Sequence, residues 1–244
     1  MVSNRGIRAL LFLVIAGVGL YAGQATVQAR GELFPMQTGT RWIYQGEVAW
    51  QPAAQGSKAQ TKQMQWEMKV VDSVERGRYK VALIVGHPAD LAWYDEGREG
   101  GCHILIASDN EKFYLSRCSP GASQERLSLP GGDLAELVHD EDLIFKLPLH
   151  QGEVFGAEPD RGEREDTFYE WSVEEVRPAA PHRIAGISFD RPQPEYVIIY
   201  RTMPDHQIAT YVPGIGLTAY VYSHHGTVSE VDMKLVKFEP PGRK

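Results

Sequence analysis

The sequence predicts an all-β protein with one curved antiparallel sheet, a half-barrel or open barrel of about ten strands with one short helix. Two observations predict this fold. Residues 63 to 70 (QMQWEMKV) alternate strictly between polar and apolar side chains, which is typical of a half-buried strand. Similar short segments recur along the chain, separated by Gly, Pro, Asn and Asp clusters, as in sheets built from successive hairpins.

The first 29 residues predict export. Arg5 and Arg8 form a basic n-region, and residues 9 to 23 form an uncharged apolar h-region. Residues 27 to 29 (Val-Gln-Ala) supply the small-x-small pattern that signal peptidase cuts. We therefore expect a cleaved signal peptide and a location in the periplasm or outside the cell.

A membrane anchor is the alternative for this segment. Its apolar stretch of 15 residues is shorter than the ~20 needed to span a bilayer. No cysteine precedes Cys102, so the lipobox of an acylated protein is absent. The expectation is that residues 30 to 244 form a single β domain with no transmembrane span after cleavage.

The acidic charge of the mature chain argues against a nucleic-acid partner. The signal peptide contains two of the 25 Lys and Arg residues and none of the 32 Asp and Glu residues, so cleavage leaves a net charge of −9. Proteins bind polyanions by neutralising phosphates with Lys and Arg, and no basic run here is longer than two residues. Anionic membrane surfaces are disfavoured for the same reason.

Strand candidates follow one another through the mature chain. In the last of them, Val231 and Met233 alternate with polar residues, whereas Val236 and Phe238 continue with the opposite parity, so we expect a β-bulge near Leu235. The candidates are residues 41–50, 63–70, 78–85, a hairpin over 102–118, 170–176, 195–202, 207–212, 217–223 and 228–238.

The two cysteines predict a disulfide across the hairpin. Outside the cytoplasm an even number of cysteines is normally paired. If the turn is centred on Asn110, residues at equal distances before and after it face each other. Cys102 then faces Cys118, and Leu105 faces Leu115. A reactive thiol, or a metal site that includes His103, is the alternative.

Only residues 133 to 143 resemble a helix. Asp133 is the expected N-cap, and Leu134, Leu137 and Val138 form an apolar stripe at helical spacing. We expect this helix to cap one opening of the barrel.

The chain also contains a degenerate internal repeat. Phe34-Pro35-Met36-x-x-Gly39-x-x-Trp42 recurs 113 residues later as Leu147-Pro148-Leu149-x-x-Gly152-x-x-Phe155, and Trp66-Glu-Met68 answers to Trp171-Ser-Val173. In each copy the glycine permits a turn with positive φ and the aromatic residue opens a strand. The pattern favours a duplication of residues 34–145 and 147–239. The alternative is coincidence, because a proline between hydrophobic residues followed by a glycine turn is common in β proteins.

Both ends of the mature chain resemble one family. Residues 34 to 44 (FPMQTGTRWIY) resemble the P-L-x-x-G-x-x-W-x-Y opening of a group of uncharacterised bacterial exported proteins. Residues 211 to 217, with Pro213, Gly214 and Gly216, are similar to the P-G-x-G turn before the final hairpin of that group. The resemblance implies an antiparallel β protein, loosely similar to the lipoprotein-carrier half-barrels of the cell envelope, and it implies no activity. Met36 in place of leucine and an insertion at 157–168 depart from the pattern.

No motif in the sequence predicts a catalytic or metal site. G-x-S-x-G and H-E-x-x-H are absent. The clusters at His139–Asp142 and His224–Gly226 are interpreted as polar turns, with metal binding as the alternative for each. The acidic segment 158–166 is interpreted as a solvated loop because its spacing does not match an EF-hand, with calcium binding as the alternative.

The expected function is that of an exported, non-catalytic envelope or extracellular protein. It would bind a lipid or other apolar ligand, or an envelope protein, on the concave face of its sheet, with Trp66 and Met68 lining the site. No cofactor is predicted. The alternatives are a structural or assembly component without a small ligand, and a hydrolase whose catalytic residues meet only in the fold.

Overall fold

A computed structural model describes residues 33–52, 56–109, 111–119, 134–156, 168–177, 183–189 and 191–242 of the chain. The expected signal peptide, the acidic segment 158–166 and the expected N-cap Asp133 lie outside these residues.

Twelve antiparallel strands form one sheet that nearly closes into a barrel, which confirms the all-β fold class. In chain order they are β1 (Arg41–Trp50), β2 (Gln60–Arg76), β3 (Tyr79–Val85), β4 (Cys102–Ser108), β5 (Lys112–Cys118), β6 (Leu143–Lys146), β7 (Val154–Phe155), β8 (Trp171–Arg177), β11 (Glu195–Arg201), β12 (Asp205–Val212), β13 (Gly216–His224) and β14 (Ser229–Glu239). A separate hairpin contains β9 (Arg183–Ile184) and β10 (Ile187–Ser188).

The sheet consists of two six-strand meanders joined at the centre. The spatial order is β6-β5-β4-β3-β2-β1-β14-β13-β12-β11-β8-β7, so β1 pairs with β14 in the middle and the short strands β6 and β7 form the two edges. The edges approach each other where Gly156, directly after β7, has a φ of 72°. A Cβ atom there would lie 2.5 Å from the carbonyl oxygen of Leu143 in β6. Only a glycine fits this seam.

Large side chains fill the interior of the barrel. Trp42 and Tyr44 from β1 are both fully buried, and their polar atoms reach the backbone at the start of β13, two strands away in the sheet. The indole N–H of Trp42 donates to the carbonyl of Ile215 at 2.6 Å, and the hydroxyl of Tyr44 donates to the carbonyl of Leu217 at 2.9 Å. Aromatic residues with satisfied polar ends are stable core residues. The concave face is therefore a packed core.

The segment before β1 and the turn before β13 meet in this core. Phe34 packs against Trp42 with their ring centroids 5.1 Å apart. Gly214 and Gly216 have positive φ values of 80° and 85°, and a Cβ atom on Gly216 would lie 2.8 Å from the ring of Phe34. The turn that follows Pro213 thus closes directly over the opening segment.

A β-bulge interrupts β14 close to the position that the sequence indicates. Ile43 pairs with Lys237 and the next residue, Tyr44, pairs with Leu235, so Val236 has no partner on β1. Val236 is correspondingly exposed. The bulge keeps the apolar side chains on both sides of it in the core.

The β4–β5 hairpin has the register expected from its sequence. Cys102 faces Cys118, Leu105 faces Leu115, and the two cysteines form a disulfide. Every residue of β4 is buried, because the main core covers one face and a second, smaller core covers the other.

The expected helix over residues 133 to 143 is wrong in type and in position. The structure has two short 3-10 helices there, Leu134–Leu137 and Asp140–Asp142. Leu134 packs on the convex face of the sheet against Val81 and Leu83, in the second core. The apolar stripe is real, but it is too short for a stable α-helix and covers the outside of the barrel instead of an opening.

The first turn of the repeat is fixed by three backbone hydrogen bonds. Gly39 N–H donates to the carbonyl of Val70, Thr40 N–H to that of Gln37, and Val70 N–H to that of Thr40, at 2.9, 3.1 and 2.9 Å. Gly39 has a φ of 91°.

The second turn has the same hydrogen bonds between equivalent residues. Gly152 N–H donates to Val173, Glu153 N–H to His150, and Val173 N–H to Glu153, at 2.8, 3.0 and 2.9 Å. Gly152 has a φ of 83°. In the sheet Trp171 pairs with Phe155, just as Met68 pairs with Trp42, so Trp171 is the structural equivalent of Met68. The sequence comparison matched Trp171 with Trp66 instead, which is wrong by two residues. A duplication stays a prediction.

Replacement of either turn glycine by alanine tests whether the two turns are equivalent. A Cβ atom would lie 3.9 Å from Pro241 at Gly39 and would meet nothing within 4 Å at Gly152, so any cost arises from the backbone. We expect Gly39→Ala and Gly152→Ala each to lower the free energy of unfolding by about 1 to 2 kcal/mol in urea titrations. Gly242→Ala, where φ is not positive, is the control. Losses below about 0.5 kcal/mol at both turns would contradict the assignment.

Candidate functional site

The connection between β3 and β4 folds into one end of the barrel. We call this segment, residues 86 to 101, the plug. Its neck is closed by a hydrogen bond from Gly86 N–H to the carbonyl of Gly101 at 3.0 Å. A Cβ atom on Gly100 would lie 2.7 Å from the Cα atom of Gly86, so the neck requires glycine. Leu91, in a 3-10 helix over Pro88–Leu91, is fully buried in the main core.

The carboxylate of Asp90 anchors the plug. One oxygen lies 2.8 Å from Nε2 of His103 in β4, and the other accepts a 2.8 Å hydrogen bond from Gly101 N–H. Asp90 is 5% exposed. Burial tends to raise the pKa of this carboxyl group, but the hydrogen bonds from His103 and Gly101 outweigh it, so the pKa lies below its ordinary value.

His87 extends this buried polar cluster. Its Nδ1 atom accepts a hydrogen bond from Ala89 N–H at 3.2 Å, and its ring lies 5.3 Å from that of His103 and 5.9 Å from that of Tyr220. Burial, followed by the proximity of His103, lowers the pKa of His87 to about 3. The ring is therefore neutral at neutral pH, and it lies in an enclosed cluster with the rings of His103 and Tyr220.

A groove lies on the outer surface of the plug, at the end of the barrel. Its cavity volume is about 510 Å³. We call it the aromatic groove; its walls include Trp50, Gln51, Gln60, Trp93, Tyr94 and Glu96. Trp50 and Tyr94 form its buried floor, with an edge-to-face contact between ring centroids 4.8 Å apart. The groove thus combines an aromatic floor with a polar rim.

Trp93 stands at the rim of the groove in an unfavourable backbone conformation. Its φ is 56°, in the left-handed region, and its side chain is 49% exposed. Ser229 accepts a hydrogen bond from its N–H at 2.9 Å, Arg98 donates to its carbonyl at 2.6 Å, and its ring packs edge-on against His224 at 4.5 Å. A left-handed conformation costs an L-residue roughly 1 to 2 kcal/mol. These contacts hold a large, exposed ring in one orientation.

The carboxylates near the groove are already paired with cations. Glu96 lies 3.5 Å from the ammonium group of Lys62, which also donates to the hydroxyl of Tyr94 at 3.1 Å. Asp95 accepts a 2.8 Å hydrogen bond from Arg98. The groove therefore has little net charge to offer an ionic ligand.

Trp66 and Met68, the expected ligand-lining residues, lie in the packed core. Trp66 is 8% exposed and its indole N–H donates to the carbonyl of Gly86 at 2.8 Å, while Met68 is fully buried. Neither residue is part of the aromatic groove or of the pocket at the opposite end. Their packing favours a structural role, and a ligand-lining role stays a prediction.

Several turn residues from the sequence analysis meet at the opposite end of the barrel. Pro148 and Pro213 line a smaller pocket of about 310 Å³ together with Leu33, Leu147 and Tyr196. The two repeat glycines belong to the turns described above, and Pro35 precedes the first of them. The structure thus brings together the structural turns but assigns them no chemistry.

His103 and His224, which the sequence offers as possible metal ligands, contact other side chains of the protein. His103 is bonded to Asp90 and His224 packs on Trp93. Within the described ranges, no group of three or more His, Cys, Asp or Glu side chains has the geometry of a metal site. No helix in the same part of the chain is long and apolar enough to cross a bilayer.

Sequence reasoning missed the aromatic groove. Trp50 ends one strand and Trp93 lies in a connection 43 positions later, so only the β1–β2–β3 topology brings them together. The one available signal is the run Trp93-Tyr94-Asp95-Glu96-Gly97, which places two aromatic residues in a segment that otherwise has the composition of an exposed loop.

Comparisons with known proteins give two distant structural similarities. No protein-family model and no curated protein matches the sequence. A candidate exported protein with a YmcC-like fold from Bacteroides fragilis is 12% identical, with 85% of this chain and 99% of that chain covered and a TM-score of 0.41. A candidate lipoprotein from Parabacteroides distasonis is 13% identical, with coverages of 85% and 98% and a TM-score of 0.38. Similarity at this level does not establish a family.

The buried His87 predicts a loss of stability in acid. Its folded pKa of about 3 lies below the ordinary 6.5, so the stability that its neutral form contributes is complete above pH 6.5 and declines as the pH falls towards 3. The lowered pKa of Asp90 acts in the same direction at lower pH. Between pH 7 and pH 5 the wild type should lose about 2 kcal/mol more than His87→Asn, whose amide oxygen can replace Nδ1 as acceptor. Urea titrations at each pH measure this, and identical pH profiles would contradict it.

Proposed function

We propose that this protein is exported, is non-catalytic, and binds a ligand in the aromatic groove. The observation that carries the proposal is the exposed ring of Trp93, held in a left-handed backbone conformation at the rim of the groove. Strained residues persist where the surrounding structure fixes them, and they cluster at binding sites. The N-terminal segment and the Cys102–Cys118 disulfide support a location in the periplasm or outside the cell.

A purely structural role for Trp93 is the competing explanation. A structural tryptophan is normally buried, as Trp42 and Trp50 are in this protein. Trp93 is about half exposed, yet its N–H, its carbonyl and its ring each have a partner. This arrangement lowers the entropy that the ring would lose on binding, and it contributes little burial to folding.

The groove is a better candidate than the concave face for a ligand site. Any ligand on the concave face would have to displace core side chains such as Trp42, Tyr44 and Met68, which are fully buried. Emptying one packed aromatic site in the core costs about 3 to 5 kcal/mol of folding free energy. The aromatic groove already has room for a small molecule or a segment of a larger one. An apolar ligand or envelope protein remains within this proposal as an occupant of the groove.

Replacement of Trp93 by glycine separates a binding role from a structural one. Glycine removes the left-handed strain, worth about 1 to 2 kcal/mol, and loses the ring contact with His224, worth about 0.5 to 1.5 kcal/mol. We therefore expect the free energy of unfolding of Trp93→Gly in urea titrations to lie within about 1 kcal/mol of the wild type.

Trp50→Ala, in the floor of the same groove, is the matched control. Because Trp50 is buried, its truncation should cost about 3 to 5 kcal/mol. A loss of more than about 2 kcal/mol for Trp93→Gly would show that the ring serves folding and would remove the basis of the proposal.

A further inference from the structure

We infer that the aromatic groove binds a neutral carbohydrate chain. The inference rests on the proposed function and names the class of ligand for the same groove. Three properties of the groove carry it, namely the geometry of the exposed ring, the pairing of the nearby charges, and the chemistry of the rim.

The ring of Trp93 is a flat and partly exposed surface. It contacts the ring of His224 at an interplanar angle of 61°, and the side chain is 49% exposed. The face of an indole ring is the negative side of its quadrupole and attracts positively polarised hydrogen atoms. A pyranose ring presents such C–H groups on its flatter face and hydroxyl groups around its edge. The C–H groups on the flatter face of a sugar ring would therefore pack favourably against the ring of Trp93.

The paired charges of the groove select against an ionic ligand. Glu96 is paired with Lys62, and Asp95 is paired with Arg98. The ammonium group of Lys62 also donates to the hydroxyl of Tyr94 at 3.1 Å, and the ring of Tyr94 is itself buried, so that ring offers no free face to a second cation. An added cation would have to displace Lys62, and an added anion would meet the carboxylates. A neutral ligand leaves each pair intact.

Polar groups on the rim can hydrogen bond the hydroxyl groups of a sugar. Gln51 and Gln60 are exposed, and each amide offers both donor and acceptor atoms. The side-chain nitrogen of Gln51 donates to the carbonyl of Ser57 at 3.1 Å, which orients that amide. A lipid chain would leave these groups without partners and lose their hydration. The mixture of a flat apolar face and a neutral polar rim matches carbohydrate.

The cavity is large enough for part of a chain. Its volume of about 510 Å³ lies within the usual range for small-molecule sites. Asp95, Glu96 and Thr227 on its rim are exposed, so a chain can continue beyond the groove. We therefore expect an oligosaccharide to bind more tightly than a monosaccharide.

The test measures oligosaccharide binding to the disulfide-bonded chain that begins at Arg30. The probes are neutral hexasaccharides of β-1,4-glucose, α-1,4-glucose and β-1,4-N-acetylglucosamine, titrated by calorimetry and by tryptophan fluorescence. At least one should bind, and Trp93→Ala should weaken that binding by about tenfold or more, because the stacking surface is lost. Met203→Ala, which truncates an exposed apolar side chain outside the groove, should change the affinity less than about twofold.

Two further probes separate failure of this inference from failure of the proposed function. If none of the hexasaccharides binds, or if their binding is insensitive to Trp93→Ala, the carbohydrate inference is overturned. Tighter binding of hexagalacturonate than of every neutral probe also overturns it. If anilinonaphthalene sulfonate then binds in a Trp93-dependent manner, the groove remains a binding site for another class of ligand. If no probe depends on Trp93, the proposed function falls as well.

Discussion

The buried carboxylate of Asp90 is the interaction on which the functional end of this molecule depends. A segment that enters the end of a barrel takes backbone and side-chain polar groups out of water, and each must find a partner. Asp90 meets this requirement through His103 and Gly101 N–H. A buried polar group that loses its hydrogen-bond partner typically costs about 1 to 3 kcal/mol, and more if it is charged, so these two contacts favour one position of the plug.

The plug in turn positions the aromatic groove, the proposed ligand site. In the part of the chain that the structure describes, side chains such as Trp42 and Tyr44 occupy the concave face of the sheet. The plug covers one end of that core with Leu91 and continues outward to present Trp93. The neighbouring ends of the sheet complete the site, since Trp50 comes from β1 and Ser229 from β14. The proposed site therefore lies at one end of the sheet.

The alternation of polar and apolar residues made most of the strands predictable. The position of the aromatic groove could not be predicted without knowing the order of the strands in the sheet. The strand over Arg41–Trp50 and the Cys102–Cys118 register follow from local patterns that a sheet must satisfy. Strand β6 was missed, and β7 was indicated only by Phe155 in the repeat, because four and two residues are too few to show alternation. The helix near Leu134 was misjudged because an apolar stripe does not reveal which surface it covers. Trp50 and Trp93 are 43 positions apart in the sequence and come together only in the folded chain.

Amide hydrogen exchange of the plug tests this account most directly. Compared with the wild type, Asp90→Ala should increase exchange across residues 86 to 101 by about tenfold or more, while β1 stays protected, because the plug opens without unfolding the sheet. Asp90→Asn preserves the shape of the side chain; its amide oxygen can accept from Gly101 N–H and its amide nitrogen can donate to Nε2 of a neutral His103, so its plug should remain closer to the wild type. Wild-type protection of the plug in Asp90→Ala would contradict the account, since the groove would then be positioned without this anchor.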